Sequence, residues 1–244
     1  MKHSKQFLTV FMAIAFASVF LSCKNNDKKD TEKDEPTEEL AIRTVSPVVI
    51  FENDYAKISK ISLAPGESQS THEGEIRLIY ALTDYSIDWE EQGKKLGAKT
   101  WKKGDVHFHE AGKHAAKNNG KTTAEWLVFT KKNTALPDCG DNTVENDVTS
   151  VSPDFAQTLF DNDDFKITKV NLPKGESIPT HSGINRILYS LSDYDLKYDS
   201  DTEGQVDKQF KAGDIHWHEA CMHSLENNGD TDASYLVVSY KLNK

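Results

Sequence analysis

The sequence predicts an all-β protein in which one small sandwich or barrel occurs twice. Three observations carry this. Residues 51–132 and 160–241 align without a gap at a spacing of 109 residues, with about two-fifths of positions identical, which marks an internal duplication. Runs rich in branched and aromatic residues alternate through both copies with Gly, Pro, Asn and Asp turn signals. No stretch sustains helical spacing at length, so closely spaced strands are left to bury the core.

Taken in order, the chain opens on Lys2 and Lys5 and then an apolar run, Phe7 to Phe20, of 14 residues. That is shorter than the roughly 20 residues of a bilayer-spanning helix, so residues 1–22 read as a signal peptide. The run ends in Phe20-Leu-Ser-Cys23, which resembles the lipobox of bacterial lipoproteins. The resemblance implies lipidation of Cys23 and anchoring in the bacterial cell envelope, at the periplasmic face or the cell surface; ordinary secretion is the alternative. Residues 23–40 are charged, without apolar periodicity, and predict a disordered, flexible tether. The formal net charge is −10, from 39 acidic and 29 basic residues. Such a balance opposes nucleic acid as a partner and limits membrane contact to the anchor, leaving a small-molecule ligand or substrate as the expected partner.

Each copy then reads as short strands. Residues 41–132 form the first domain, 133–150 a polar linker with Pro137 and Gly140, and 151–244 the second domain. Ala56 to Leu63 mixes polar and apolar residues as a half-buried strand does, while Ile76 to Leu82 and Ile184 to Leu191 read as buried strands. Ala64-Pro-Gly66 and Pro173-Lys-Gly175 are turns, and Asn118-Asn-Gly120 and Asn227-Asn-Gly229 read as tight hairpin turns. Trp126 to Thr130 and Tyr235 to Tyr240 close the two units.

Of nine histidines, eight form two equivalent sets: His72, His107, His109, His114 and His181, His216, His218, His223. His107 and His109 stand two apart on a strand, so both point to one face while Val106 and Phe108 point to the other. Three or four converging imidazoles suit a divalent transition metal, Zn, Fe, Mn, Ni or Cu, better than Mg or Ca. Glu110 and Glu219, beside the histidines, are candidates for a carboxylate ligand or a general base. The competing structural explanation is that polar strand residues hydrogen-bond one another and water, and that duplication copied them. By parity with His72, Tyr80 and Tyr189 either reach the cavity or lie in the core, and Arg77 and Arg186, of opposite parity, read as surface ion pairs, with binding of a substrate carboxylate as the alternative. Asn118 and Asn227 read as strand-end hydrogen-bonding residues. Cys139 and Cys221 either pair or leave Cys221 as a soft ligand in one pocket.

Two motifs, each present twice, resemble those of the cupin superfamily. Gly66 is followed after five residues by His72, as Gly175 is by His181; Gly104-Asp105 leads through Glu110-Ala-Gly112 to His114 and Asn118, as Gly213-Asp214 leads to His223 and Asn227. The resemblance covers nearly all of both repeats and implies two tandem cupin-type jelly-roll β-barrels, a bicupin, similar to small cupins of the β-alanine-degradation type. It implies that His72 and His114 project into the barrel. Departures matter: Gly74 and Gly183 replace the second histidine of the first motif, and the family's glutamate position falls on apolar residues near Leu78-Ile79 and Ile187-Leu188. The function expected from the resemblance is a metal-dependent enzyme of oxygenase, isomerase or hydrolase type acting on a small polar metabolite. The alternative is a non-catalytic metal- or ligand-binding lipoprotein, and a barrel with a merely polar core is the third reading. The bulkier, more apolar surroundings of the second pocket, with Trp217, Cys221 and Met222, predict that the two pockets differ in ligand preference or that one is degenerate.

Overall fold

Residues Arg77–Ala81 are buried at every position, which a strand achieves only when both of its faces are covered. The computed structural model, which describes residues 44–242, shows how. The expected signal peptide, Cys23 and the tether lie outside the described residues. In the first barrel β1 (Val48–Glu52), β2 (Ala56–Leu63), β9 (Ala124–Lys131), β4 (Arg77–Ala81) and β7 (Val106–His109) form a five-stranded sheet in that order. β3 (Ser68–Gly74), β8 (Gly112–Asn118), β5 (Tyr85–Glu91) and β6 (Lys94–Trp101) form a four-stranded sheet.

The second barrel repeats the plan. Its five-stranded sheet runs β10 (Ala156–Asp161), β11 (Phe165–Leu172), β18 (Ala233–Tyr240), β13 (Arg186–Ser190) and β16 (Ile215–His218). Its four-stranded sheet runs β12 (Ser177–Gly183), β17 (Cys221–Glu226), β14 (Tyr194–Ser200) and β15 (Gly204–Phe210). The sequence expectation of an all-β protein of two tandem jelly-roll barrels holds. The one helix among the described residues is a single turn, α1 (Val148–Val151), capped by Asp147, whose carboxylate accepts from Thr149 N–H.

The five-stranded sheets bury their outer faces against each other. Ile58, Leu78, Tyr80, Leu127 and Phe129 of the first barrel share one apolar cluster with Phe165, Ile167, Ile187, Leu236, Val238 and Tyr240 of the second. The alternate residues turn inward: Ile61, Ile79, Ala81 and Trp126 pack inside the first barrel. β2 is therefore covered on both faces rather than half-buried, because its outer face meets the other barrel as well as its own interior. Each such side chain taken out of water contributes on the order of 1.5–3 kcal/mol, so the paired barrels stabilise each other. Phe108, between His107 and His109, stacks on Phe160 of the other barrel with ring centres 5.9 Å apart. The inter-barrel core thus holds the strand that carries two of the histidines.

Two turn expectations fare differently. Asn118 and Asn227 are strand-end residues as read: the Asn118 amide donates to the carbonyls of Leu63 and Thr122, both at 2.8 Å, and accepts from Gly120 N–H. Asn227 repeats this with Leu172, Thr231 and Gly229. The hairpins expected there are absent, since β8 and β9 belong to different sheets and residues 119–123 carry the chain from one sheet to the other.

Candidate functional site

β3 and β8 pair so that His72 faces His114 across the ladder, and their rings lie 4.1 Å apart. A bulge between Gln69 and His72, repeated between Ile178 and His181, resets the alternation just before the histidine. β4 pairs with β7, setting His109 beside Arg77 and His107 beside Ile79 on the inward face. The structure therefore brings the four histidines of the first barrel together as two pairs. Trp89 bridges the pairs, its ring 4.8 Å from His109 and 5.3 Å from His114.

The proton positions follow from the partners. His72 Nδ1 lies 2.8 Å from the Ser70 carbonyl, and His114 Nδ1 3.3 Å from the Gly112 carbonyl. A carbonyl only accepts, so each Nδ1 carries hydrogen and each Nε2 keeps a lone pair. His109 Nδ1 lies 2.7 Å from Glu91 Oε1, and His109 Nε2 lies 2.7 Å from His107 Nδ1. An ionised Glu91 makes His109 Nδ1 the donor, hence His109 Nε2 the acceptor and His107 Nδ1 the next donor. His107 Nε2 then accepts from the Tyr85 hydroxyl at 3.4 Å. Burial alone raises the Glu91 carboxyl, but the hydrogen bond from His109 and the attraction of Arg77 hold it below the usual range. Burial, with His109 and Arg77 nearby, pushes His107 down to about 3. Burial and Arg77 push His114 down to about 4. His107, His109 and His114 are therefore neutral at physiological pH.

Arg77 departs from expectation. It is 4% exposed and turns into the barrel rather than out to an ion pair. Parity counted from His72 fails because Glu75 and Ile76 turn the chain from one sheet into the other. The same miscount explains Tyr80, which lies in the inter-barrel core with Tyr189 packed against it. Arg77 Nη1 donates to the carbonyls of Glu75 (2.9 Å) and Glu110 (3.2 Å), and no carboxylate among the described residues lies within ion-pair distance of it. Burial lowers its guanidinium to about 10, still charged at neutral pH. Register extends the site sideways: Lys57 pairs with Thr130, Thr130 with Arg77, and Arg77 with His109. A row of two cations, a hydroxyl and an imidazole thus crosses the sheet.

Glu110 and Glu219 are exposed. It is their backbone carbonyls that accept hydrogen bonds, from Arg77 and Arg186. The carboxylate that touches a histidine is Glu91, which sequence reasoning missed. Its signal was faint: Ser200 stands at the equivalent place, so the duplication does not repeat it.

The second barrel differs within the same frame. His181 and His223 stack at 4.1 Å, and Tyr198 takes the place of Trp89, with ring centres 5.9 Å from His218 and 5.5 Å from His223. No hydrogen bond joins His216 to His218 among the described residues. Burial and the Arg186 charge push His218 down to about 3 and His223 lower still. Cys139 and Cys221 are both free and buried, so the two do not pair. Cys139 accepts from the Asn185 amide at 3.3 Å, and Cys221 from Arg186 Nη2 at 3.3 Å.

The mouths of the two barrels contrast most. In the first, a cleft of about 540 Å³ reaches Arg77, His72 and His114, and a second of about 470 Å³ reaches His107, His109 and Glu110 from the other side. In the second, residues 143–148 lie across the entrance. Thr143 N–H donates to Ser182 Oγ at 2.7 Å, and Ser182 N–H to the Asn146 carbonyl at 2.9 Å. Val144, Asp147 and Val148 line a narrow cavity of about 40 Å³, room for about one or two waters, while a cleft of about 610 Å³ reaches His216, His218 and Cys221 from the other side, as its counterpart does in the first barrel. The polar stretch read as a linker is thus partly a wall.

As a set of three or more, these donors do not fit a resident metal centre, which leaves only the His72–His114 pair to hold one. Among the described residues no group of three or more His, Cys, Asp or Glu side chains is arranged to hold a metal ion. His107 and His109 bond to each other, and the Arg77 guanidinium beside His114 repels a cation.

Neither a family model nor a curated protein sequence matches the chain, but solved structures do. AerE from Microcystis aeruginosa superposes with a TM-score of 0.55 at 16% identity, over 80% of this chain and 96% of that one. A tryptophan-to-phenylalanine variant of oxalate decarboxylase from Bacillus subtilis gives a TM-score of 0.58 at 13% identity, over 80% and 72%. A further structure of that enzyme, concerned with its Mn(II) centres, gives 0.55 at 11% identity, over 78% and 70%. Such likeness is one of fold. The duplicated motifs, the four sheets and these superpositions agree that the chain is a bicupin in architecture, two tandem cupin-type jelly-roll barrels.

Proposed function

We propose that the first barrel binds a small anionic metabolite, a carboxylate, with Arg77 as its anchor. One observation carries this reading: Arg77 is a buried guanidinium with no carboxylate within ion-pair distance among the described residues, Glu91 attracting it only from farther off, at the wall of an open cleft of about 540 Å³. An unpaired buried charge costs several kcal/mol, which an incoming anion offsets. The second barrel supports the ligand class. There the row recurs as Lys166, Ser239, Arg186 and His218, and the chain brings its own carboxylate to it: Asp147 lies 2.7 Å from Lys166, their side chains 13% and 8% exposed. In the first barrel the ion pair that Lys57 makes among the described residues is with Glu75, at 3.2 Å on the exposed rim, a contact worth about 0–1 kcal/mol. An external carboxylate would stand where no internal one does. The test is calorimetric titration of the chain with small carboxylates, with binding expected in the wild type and lost in Arg77→Met.

A second reading, the metal-dependent enzyme, draws on one observation: His72 and His114 each hold Nδ1–H on a backbone carbonyl, leaving both Nε2 lone pairs free for a ligand. Metal analysis of the purified protein, and its loss in a His72→Ala, His114→Ala double variant, tests it. For location, we propose anchoring in the bacterial cell envelope through a lipidated Cys23, supported by the signal-like run before it. Release of a Cys23→Ala variant from membranes is the expected result, and its retention would oppose the proposal.

A further inference from the structure

The anion reading uses Arg77 and leaves three other groups in the same cleft unexplained. Ser59, Gln69 and Thr130 are 6%, 5% and 5% exposed and line the cavity, yet their side chains hydrogen-bond to no described residue. Buried polar groups are nearly always satisfied. Here the polar atoms of all three open to the cleft and so to water, which makes them positions where ligand atoms can take the place of solvent. The hydroxyls recur in the second barrel as Thr168 and Ser239. The amide does not: Ile178 stands at that place, fully buried in the apolar cluster of the second barrel.

The difference is chemical as well as steric. A carboxylate held by Arg77 needs donors only, and Thr130, the register partner of Arg77, adds a hydroxyl beside it. The Gln69 amide offers both a donor and an acceptor, which a bare hydrocarbon chain leaves unmet and a hydroxyl satisfies. We propose that Gln69 is a specificity-determining residue, reading a hydroxyl on the ligand, so that the first barrel takes a hydroxycarboxylate in preference to the plain acid. This rests on the anion reading above.

The experiment titrates the full chain with two matched pairs, malate against succinate and lactate against propionate. The hydroxy acid of at least one pair is expected to bind about tenfold or more tightly than its partner, the discrimination expected of a site whose polar group would otherwise be left unpaired. Gln69→Ile, which copies the residue the second repeat already folds with, should abolish that preference, with an unchanged melting curve showing that the barrel is intact. Equal affinities within both pairs, or an equal loss of both acids in Gln69→Ile, would overturn the role of Gln69. If the acids bind with Arg77 dependence but without preference, the anion reading survives and this inference does not. If none of the four binds, both fail.

Discussion

Asp147 Oδ2 lies 2.7 Å from Lys166 Nζ inside the second barrel, while Lys57, at the equivalent place in the first, pairs among the described residues with the rim residue Glu75. One scaffold thus has one narrow pocket whose lysine is internally neutralised and one wider pocket whose arginine has no carboxylate within ion-pair distance among the described residues. Removing the Asp147 charge leaves Lys166 buried and unpaired. Asp147→Asn should cost about 3 kcal/mol of unfolding free energy, read from urea denaturation. A loss below about 1 kcal/mol would mean that the pair does not hold the wall down.

Acid should destabilise the protein well above the carboxylate range. His107, His114 and His218 are held to about 3, 4 and 3 against an ordinary 6.5. Between those limits the unfolded chain binds more protons than the folded one, so stability rises with pH and is lost as pH falls from 6.5. Each such group contributes a slope of up to about 1.4 kcal/mol per pH unit. Urea midpoints at pH 7.5 and pH 4.5 check this; an equal or higher midpoint at pH 4.5 would be inconsistent with neutral buried imidazoles.

Glu91 sets the direction of the imidazole chain. Its hydrogen bond raises the affinity of His109 for a proton against the effect of burial. Glu91→Ser, the second barrel's residue, should therefore lower the His109 pKa further and release its tautomer. Nitrogen-15 NMR of the side chains through a pH titration reads both. An unmoved His109 would show that the carboxylate is a spectator.

Asn118 serves the fold and not the ligand. Asn118→Ala removes three hydrogen bonds at a fully buried site and should cost about 2–4 kcal/mol, with carboxylate affinity unchanged. A selective loss of affinity at normal stability would instead place Asn118 in the pocket.

Much of this architecture was legible in the residues. The ungapped repeat and the Gly-Asp and Gly-x5-His motifs announce two barrels, and the parity of His107 and His109 correctly turns both inward. What escaped did so at places where local counting breaks. Arg77 follows a turn that switches sheets, Gln69 precedes a bulge, and Asn118-Asn-Gly120 looks like a hairpin but bridges two sheets. The wall at residues 143–148 is mostly polar on paper because Thr143, Asn146 and Asp147 meet Ser182 and Lys166, while Val148 alone joins the apolar cluster. Glu91 became a site residue through a pairing between strands that no spacing along the chain records.

The central claim is that the first barrel holds an anion through Arg77. Its most direct measurement is isothermal titration of succinate and malate into wild-type and Arg77→Met protein. Saturable binding at one site per chain, weakened about tenfold or more by the substitution, is the predicted result. Undiminished binding in Arg77→Met, or no binding of either acid to the wild type, would contradict it.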